Sequence, residues 1–240
     1  MTPVLELIGV SRVHGRGHLR VDALVDAHLR VEPGTLVAVM GPSGSGKTTL
    51  LSLAGGLEMP TSGEVLVEGR SLAQMDASEL AKLRRRRVGY VFQQYNLIDG
   101  LTAVENVSLP LELDGAGRRQ AIRSAMRALE LMGLTELAHR FPDELSGGEQ
   151  QRTAIARAVV GDRVLLLADE PTGALDTVTG EGVLRLMRLH CESGGAGVLV
   201  THDARFAAWA DHVVFLRDGR IVDETKDPQG PESLLGRITS

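Results

Sequence analysis

With 240 residues, 43% of them hydrophobic, and a formal net charge of -5, the chain is long enough to bury a full core and too acidic as a whole to match nucleic acid. No apolar run reaches the roughly 18 residues of a membrane helix, and Met1 to Val10 has no basic start ahead of a long apolar stretch, so the expectation is a cytosolic chain. A lone Cys191 excludes an internal disulfide and a cysteine-rich metal cage, and the run Arg84, Arg85, Arg86, Arg87 reads as a solvated basic face.

In chain order, Leu36-Val-Ala-Val-Met40 is the first short apolar run with the pattern of a strand buried on both faces. It enters Gly41-Pro42-Ser43-Gly44-Ser45-Gly46-Lys47-Thr48, and the helix-prone Thr49-Leu-Leu-Ser-Leu53 follows. Glycines let such a loop curl so that successive N–H groups point inward, and the helix start adds partial positive charge there. Lys47 would neutralise the β- and γ-phosphates of a nucleotide, and the Thr48 hydroxyl would take one position on a Mg²⁺ that keeps several waters. A merely flexible glycine turn gives no reason for Lys-Thr at that offset.

After the turn-prone Asp114-Gly-Ala-Gly117, Ile122, Met126, Leu129 and Met132 mark an amphipathic helix. A helical lobe is expected from about Asn96 to Phe141, and with the helix that follows the inserted subdomain covers approximately 96–160 of a single 1–240 unit. In Leu145-Ser-Gly-Gly-Glu-Gln-Gln-Arg152, Ser146 can cap the helix continued by Thr153 to Val159, and Gly147 and Gly148 leave its first amides uncovered. That is either an ordinary capped helix or a second anion site, which makes sense if two chains pack head to tail around each nucleotide.

Val164-Leu-Leu-Leu-Ala168 is a second buried strand entering Asp169-Glu170. Adjacent carboxylates at a strand end can divide the work of metal holding and water activation, or can simply be solvated. Val198-Leu-Val-Thr201 leads to His202, which is a capping or core histidine or a γ-phosphate contact. Three strands with polar residues beyond their carboxyl ends imply an open α/β sheet, which binds ligands at that edge. Last, Val213 to Leu216 and Ile221-Val222 flank Asp218-Gly219, a hairpin signal in which nothing suggests chemistry.

Taken together, the loop Gly41 to Thr48, Gln93, Leu145 to Arg152, Asp169-Glu170, Ala174-Leu175-Asp176 and His202, in that order, resemble the ATPase subunits of ABC transporters across essentially the whole chain. The resemblance implies an α/β P-loop NTPase core sheet with an inserted helical subdomain and an N-terminal antiparallel β portion. It implies ATP and Mg²⁺ as cofactors, with Gly41 to Thr49 on the nucleotide and Thr48, Gln93 and Asp169 at the metal. Glu170 would be the catalytic base, with Gln93 sensing the γ-phosphate and His202 as the switch histidine. Ser146 and Gly148 would clasp the ATP of a partner chain, and Asp176 would couple the two sites. At the usual place of an adenine-stacking aromatic ring stands His14, beside Val13.

Further stretches narrow the resemblance to the lipoprotein-release and macrolide-export branch: Gly55-Gly-Leu57 with Pro60 to Gly63, Tyr95 to Ile98 with Leu101 to Asn106, and Asp169 to Asp176. Such a chain pairs with a second copy, or with a related ATPase chain, on binding ATP. It powers a separate transmembrane permease of the FtsX/MacB-like type, to export or extract a lipoprotein, lipid, antibiotic or peptide. It is then cytoplasmic and peripheral on the inner face of the membrane, with the permease docking between about Gln94 and Pro110, where Tyr95, Leu97 and Ile98 could equally be core. Rival readings fit less: a soluble two-cassette ATPase of translation or repair, a P-loop kinase or GTPase that leaves Leu145 to Arg152 without purpose, and a degenerate ATP sensor that would have lost Glu170, His202 or Ser146.

Overall fold

The computed structural model describes residues 2–173, 175–226, 228 and 234, so Ala174 and most of the expected 1–240 unit beyond Lys226 fall outside the described residues. In chain order the elements are β1 (Leu5–His14), β2 (Val21–Val31), β3 (Leu36–Met40), α1 (Lys47–Ala54), β4 (Ser62–Val67), β5 (Arg70–Ser71), α2 (Ala77–Arg86) and β6 (Val88–Val91). There follow α3 (Ala103–Leu113), α4 (Arg118–Leu131), α5 (Gly147–Val159), β7 (Leu165–Asp169), α6 (Thr177–Glu192), β8 (Ala196–Val200), α7 (Ala204–Ala207), β9 (His212–Arg217) and β10 (Arg220–Lys226).

Six strands form the central sheet in the order β10-β9-β3-β8-β7-β6, parallel except for the edge strand β10. Alternation along each strand decides which layer it holds. Leu36, Ala38 and Met40 of β3, Leu166 and Ala168 of β7, and Leu199 of β8 belong to the cluster that packs the helices. Their neighbours Val37, Val39, Leu165, Leu167, Val198 and Val200 face the opposite cluster, against α1 and the antiparallel sheet β2-β1-β4-β5. A strand with both faces covered has no polar position to spare, which is why these runs read as unbroken apolar stretches.

Local chemistry places the helices. Asp76 accepts from Glu79 N while the Glu79 carboxylate accepts from Asp76 N, a reciprocal cap that starts α2. Ser146 and Glu149 form the same box at the start of α5. On α4 the expected stripe is partly rotated: Leu129 is fully buried and Ile122 and Met126 are half-buried, while Ala121, Ala125 and Ala128 complete the buried face. Small side chains there let α4 lie close against α3 and α5.

The basic run is not the free solvated face expected. Arg84 donates to Gly56 O at 2.7 Å, Arg86 Nε to both Asp114 carboxylate oxygens at 2.6 and 2.7 Å, and Arg87 pairs in a fork with Glu68. Guanidinium planes seek carboxylates and carbonyls at this range, and the end of α2 delivers Arg84 and Arg86, with Arg87 just past it, to these neighbours. Cys191 is buried, with its thiol pushed up to about 12 by that burial, and it is inert.

Candidate nucleotide site

From the end of β3 the chain turns through Gly41–Gly46 into α1, whose N-cap Gly46 has φ 103. Glycine is required at both ends of the turn. A Cβ on Gly41 would lie 2.1 Å from Leu216 O, and one on Gly46 would lie 2.2 Å from Ala23 O. The loop is therefore boxed between β9 and β2. Gly219 N donates to Ser45 O at 3.0 Å, and Val25 N donates to Gly219 O at 2.8 Å, so the β9–β10 turn buttresses it. Local sequence assigned that turn no chemistry; only the adjacency of β9 and β3 shows its part.

Within the loop, Lys47 Nζ donates to Gly41 O and Pro42 O, both at 2.8 Å. Burial lowers the Lys47 pKa, opposed by the charges of Glu170 and Asp169. Pro42, Ser43 and Gly44 are exposed, Ser45 is buried with an unpartnered Oγ, and Thr49 is half-buried on the first turn of α1. Thr48 Oγ1 donates to Asp169 Oδ2 at 2.8 Å, which joins the loop to the end of β7.

Parallel pairing puts Asp169 opposite Val200 of β8, and Glu170 N donates to Val200 O at 3.0 Å. His202, two residues beyond β8, thus comes level with Glu170, and its Nδ1 lies 2.9 Å from Glu170 Oε1. Asp169 is only 4% exposed; burial raises its pKa, opposed by the Thr48 hydrogen bond and the Lys47 charge. Glu170 stands in the left-handed region at φ 47, costly for a side-chain-bearing residue by about 1 to 2 kcal/mol. Gln93 is exposed, two residues past β6, whose Val91 pairs with Ala168, so it sits at the same sheet edge.

The remaining candidates stand apart. Ser146 is exposed, and its N and Oγ donate to Glu149 Oε2 at 2.7 and 2.8 Å. Gly148 is half-buried on the first turn of α5. Asp176 caps α6 through Thr179 N at 3.0 Å and Thr179 Oγ1 at 2.7 Å, while Ala174 just before it lies outside the described residues. His14 ends β1 opposite Val21, with Nε2 3.9 Å from Glu58 Oε2, which Arg12 Nε approaches to 3.0 Å.

Among the described residues no group of three or more His, Cys, Asp or Glu could cage a metal ion. Thr48 Oγ1 and Asp169 Oδ2 offer two hard oxygen donors beside the phosphate loop. That donor set suits Mg²⁺, which takes few protein ligands and completes its shell with water and phosphate oxygens.

A strand, a glycine loop ending in Lys-Thr, a helix, and an acidic pair at the next parallel strand's end define a P-loop nucleotide-binding fold. The ABC transporter family model matches residues 24–173, and the chain belongs to that family. It is 44% identical over 230 residues to the macrolide export ATP-binding/permease protein MacB of Sodalis glossinidius, covering 96% of this chain and 35% of the relative. An uncharacterized ABC transporter ATP-binding protein of Thermotoga maritima is 47% identical over 221 residues, 92% of this chain and 94% of that one. The dimeric structure of MJ0796, a bacterial ABC transporter cassette, superposes with a TM-score of 0.89 at 41% identity, covering 93% of this chain and 98% of the other. A second structure, of MJ0796 in a post-hydrolysis state bound to ADP and Pi, also scores 0.89, at 40% identity. The chain spans about a third of the length of the macrolide export protein and nearly all of the single-cassette relatives.

Proposed function

We propose that the chain binds ATP with Mg²⁺ at Gly41–Thr49, hydrolyses it as one half of a head-to-tail dimer, and powers a separate transmembrane permease from the cytoplasmic face of the membrane. The observation that carries the reading is the pair of contacts at one sheet edge: Thr48 to Asp169 at 2.8 Å, and His202 to Glu170 at 2.9 Å. One joins phosphate loop to metal-side carboxylate; the other orients a base.

Thr48 and Asp169 would hold the metal, with Gln93, two residues past β6, as the third residue at it. When bound, Mg²⁺ supplies positive charge against the phosphate oxygens. Lys47 leaves Gly41 O and Pro42 O for the β- and γ-phosphates. Glu170 takes a proton from water as the water oxygen bonds to phosphorus and the bond to the ADP oxygen breaks. His202 fixes one oxygen of that carboxylate and leaves the other free for the water. His14, at the end of β1, would meet the adenine base.

Ser146 is exposed at the start of α5 and Gly148 is half-buried beside it, which supports a trans arrangement in which a partner's nucleotide reaches them, as do the dimeric MJ0796 cassettes. Asp176, which caps α6, would couple the two sites in that arrangement. The elements from about 96 to 160 act as the lobe that moves when the pair closes. Of the residues Gln94 to Pro110, Leu109 and Pro110 line a mostly apolar groove of about 370 Å³ together with Tyr90, Phe92 and Leu113, which suits an amphipathic permease helix. The likeness to a macrolide export protein supports export of an antibiotic, with a lipid, lipoprotein or peptide as the other substrate classes of the proposal.

The test is Glu170→Gln, with mass measured by size-exclusion chromatography and light scattering with and without Mg-ATP. The expected result is turnover lowered about a thousandfold and an ATP-dependent dimer that dissolves when Ser146 is also replaced. ATP binding with no dimer at any concentration removes the trans arrangement.

A further inference from the structure

Two contacts tie α5 to the segment that follows Gln93, and neither belongs to the site above. Arg157, about three turns from the start of α5, donates Nη2 to Tyr95 O at 2.8 Å and Nη1 to Asn96 O at 2.5 Å. Burial alone lowers its pKa, so no carboxylate offsets the cost of placing it there. A half-buried guanidinium that meets two successive carbonyls serves geometry: its planar fork fixes both at once. At the other end of α5, Tyr95 Oη lies against Gly147, where an added Cβ would come 3.0 Å from it. Beyond the segment, Asn106 holds Ile98 N and O and Leu101 O, which removes slack on the far side.

We propose that Arg157 is a positioning residue that couples the two half-sites of one chain. A shift of Gln93 on filling of the chain's own phosphate loop passes through the Tyr95 and Asn96 carbonyls to α5. The rigid helix carries it to Ser146 and Gly148, which serve the partner's nucleotide. The inference rests on the proposed contact of Gln93 with bound Mg-ATP. Coupling of this kind requires a continuous physical link, and the fork on consecutive carbonyls supplies one.

The experiment is hydrogen exchange at residues 145–152 of the full chain carrying Glu170→Gln, kept dilute enough to remain monomeric, with and without Mg-ATP. ATP affinity is titrated in the same samples. In the parent, Mg-ATP is expected to change exchange there by about fivefold or more, and Arg157→Gln to shrink that change below about twofold with ATP affinity nearly unaltered. A merely structural role would lower affinity and exchange protection together. Arg157→Lys keeps the charge and loses the planar fork, so it is expected to lose most of the response, and a full parental response in it overturns the link even if Arg157→Gln does not fold. A parent that binds ATP without any change at 145–152, or an Arg157→Gln chain with the full change, overturns the inference alone. A parent that binds no ATP overturns the proposed function and the inference with it.

Discussion

The phosphate loop and the start of α5 are both glycine-rich helix N-termini, yet they are finished differently. Around the loop, Ala23 O and Leu216 O press from two strands and Gly219 N from the β9–β10 turn, while Asp169 and Lys47 bond to it. At α5, Ser146 and Gly147 are exposed, and what occupies the helix end is the chain's own Glu149, whose pKa is lowered first by the hydrogen bond from Ser146 N. The first is a site complete in shape within one chain. The second is a helix end that the chain's own Glu149 satisfies, and under the proposed function that is the difference between a pocket and half of an interface.

That contrast can be broken at several points. Lys47→Ala is expected to weaken ATP binding by about a hundredfold or more, read by fluorescence titration, because it deletes the loop's cation in a partly desolvated place. Gly89→Ala puts a methyl 2.1 Å from Ala158 O, forcing α5 off β6, and should cost about 2 to 3 kcal/mol in denaturant unfolding. Ser146→Ala removes a cap and should cost about 1 kcal/mol, while leaving the monomer's ATP affinity unchanged; a parallel loss of affinity would erase the distinction between the two regions.

The smallest effect concerns Asp169. Its folded pKa is raised by burial, so the folded chain holds that proton more tightly than the unfolded chain, and the ionised form is destabilising above the raised value. Asp169→Asn keeps the acceptor for Thr48 and should raise the thermal midpoint by a few degrees at neutral pH. The gain should fade as the pH drops through the raised pKa toward the ordinary carboxylate range, while ATPase activity is lost throughout. An equal gain at every pH would point to a cause other than the buried charge.

Much of this was readable locally, and the remainder was not for a definite reason. Runs such as Leu36–Met40 and Leu165–Asp169 show themselves because strands buried on both faces tolerate only apolar residues. The loop, the acidic pair and Ser146 are visible because helix starts and phosphate nests demand particular residues in a row. What stayed hidden depends on neighbours set by the sheet order: Gly219 under Ser45, Arg157 on Tyr95 and Asn96, and Glu170 forced to φ 47. Arg84 to Arg87 misled as a solvated face because a charge run says nothing of Asp114, Glu68 or Gly56 O waiting across the fold.

The box around Gly41–Gly46 has a kinetic corollary. Since Leu216 O, Ala23 O and Gly219 N already impose the curl, the loop's disorder is given up when the chain folds and not when nucleotide arrives. The competent shape is then the resident one, with no fraction of it to wait for. Nucleotide entry should be a single concentration-proportional phase in stopped flow.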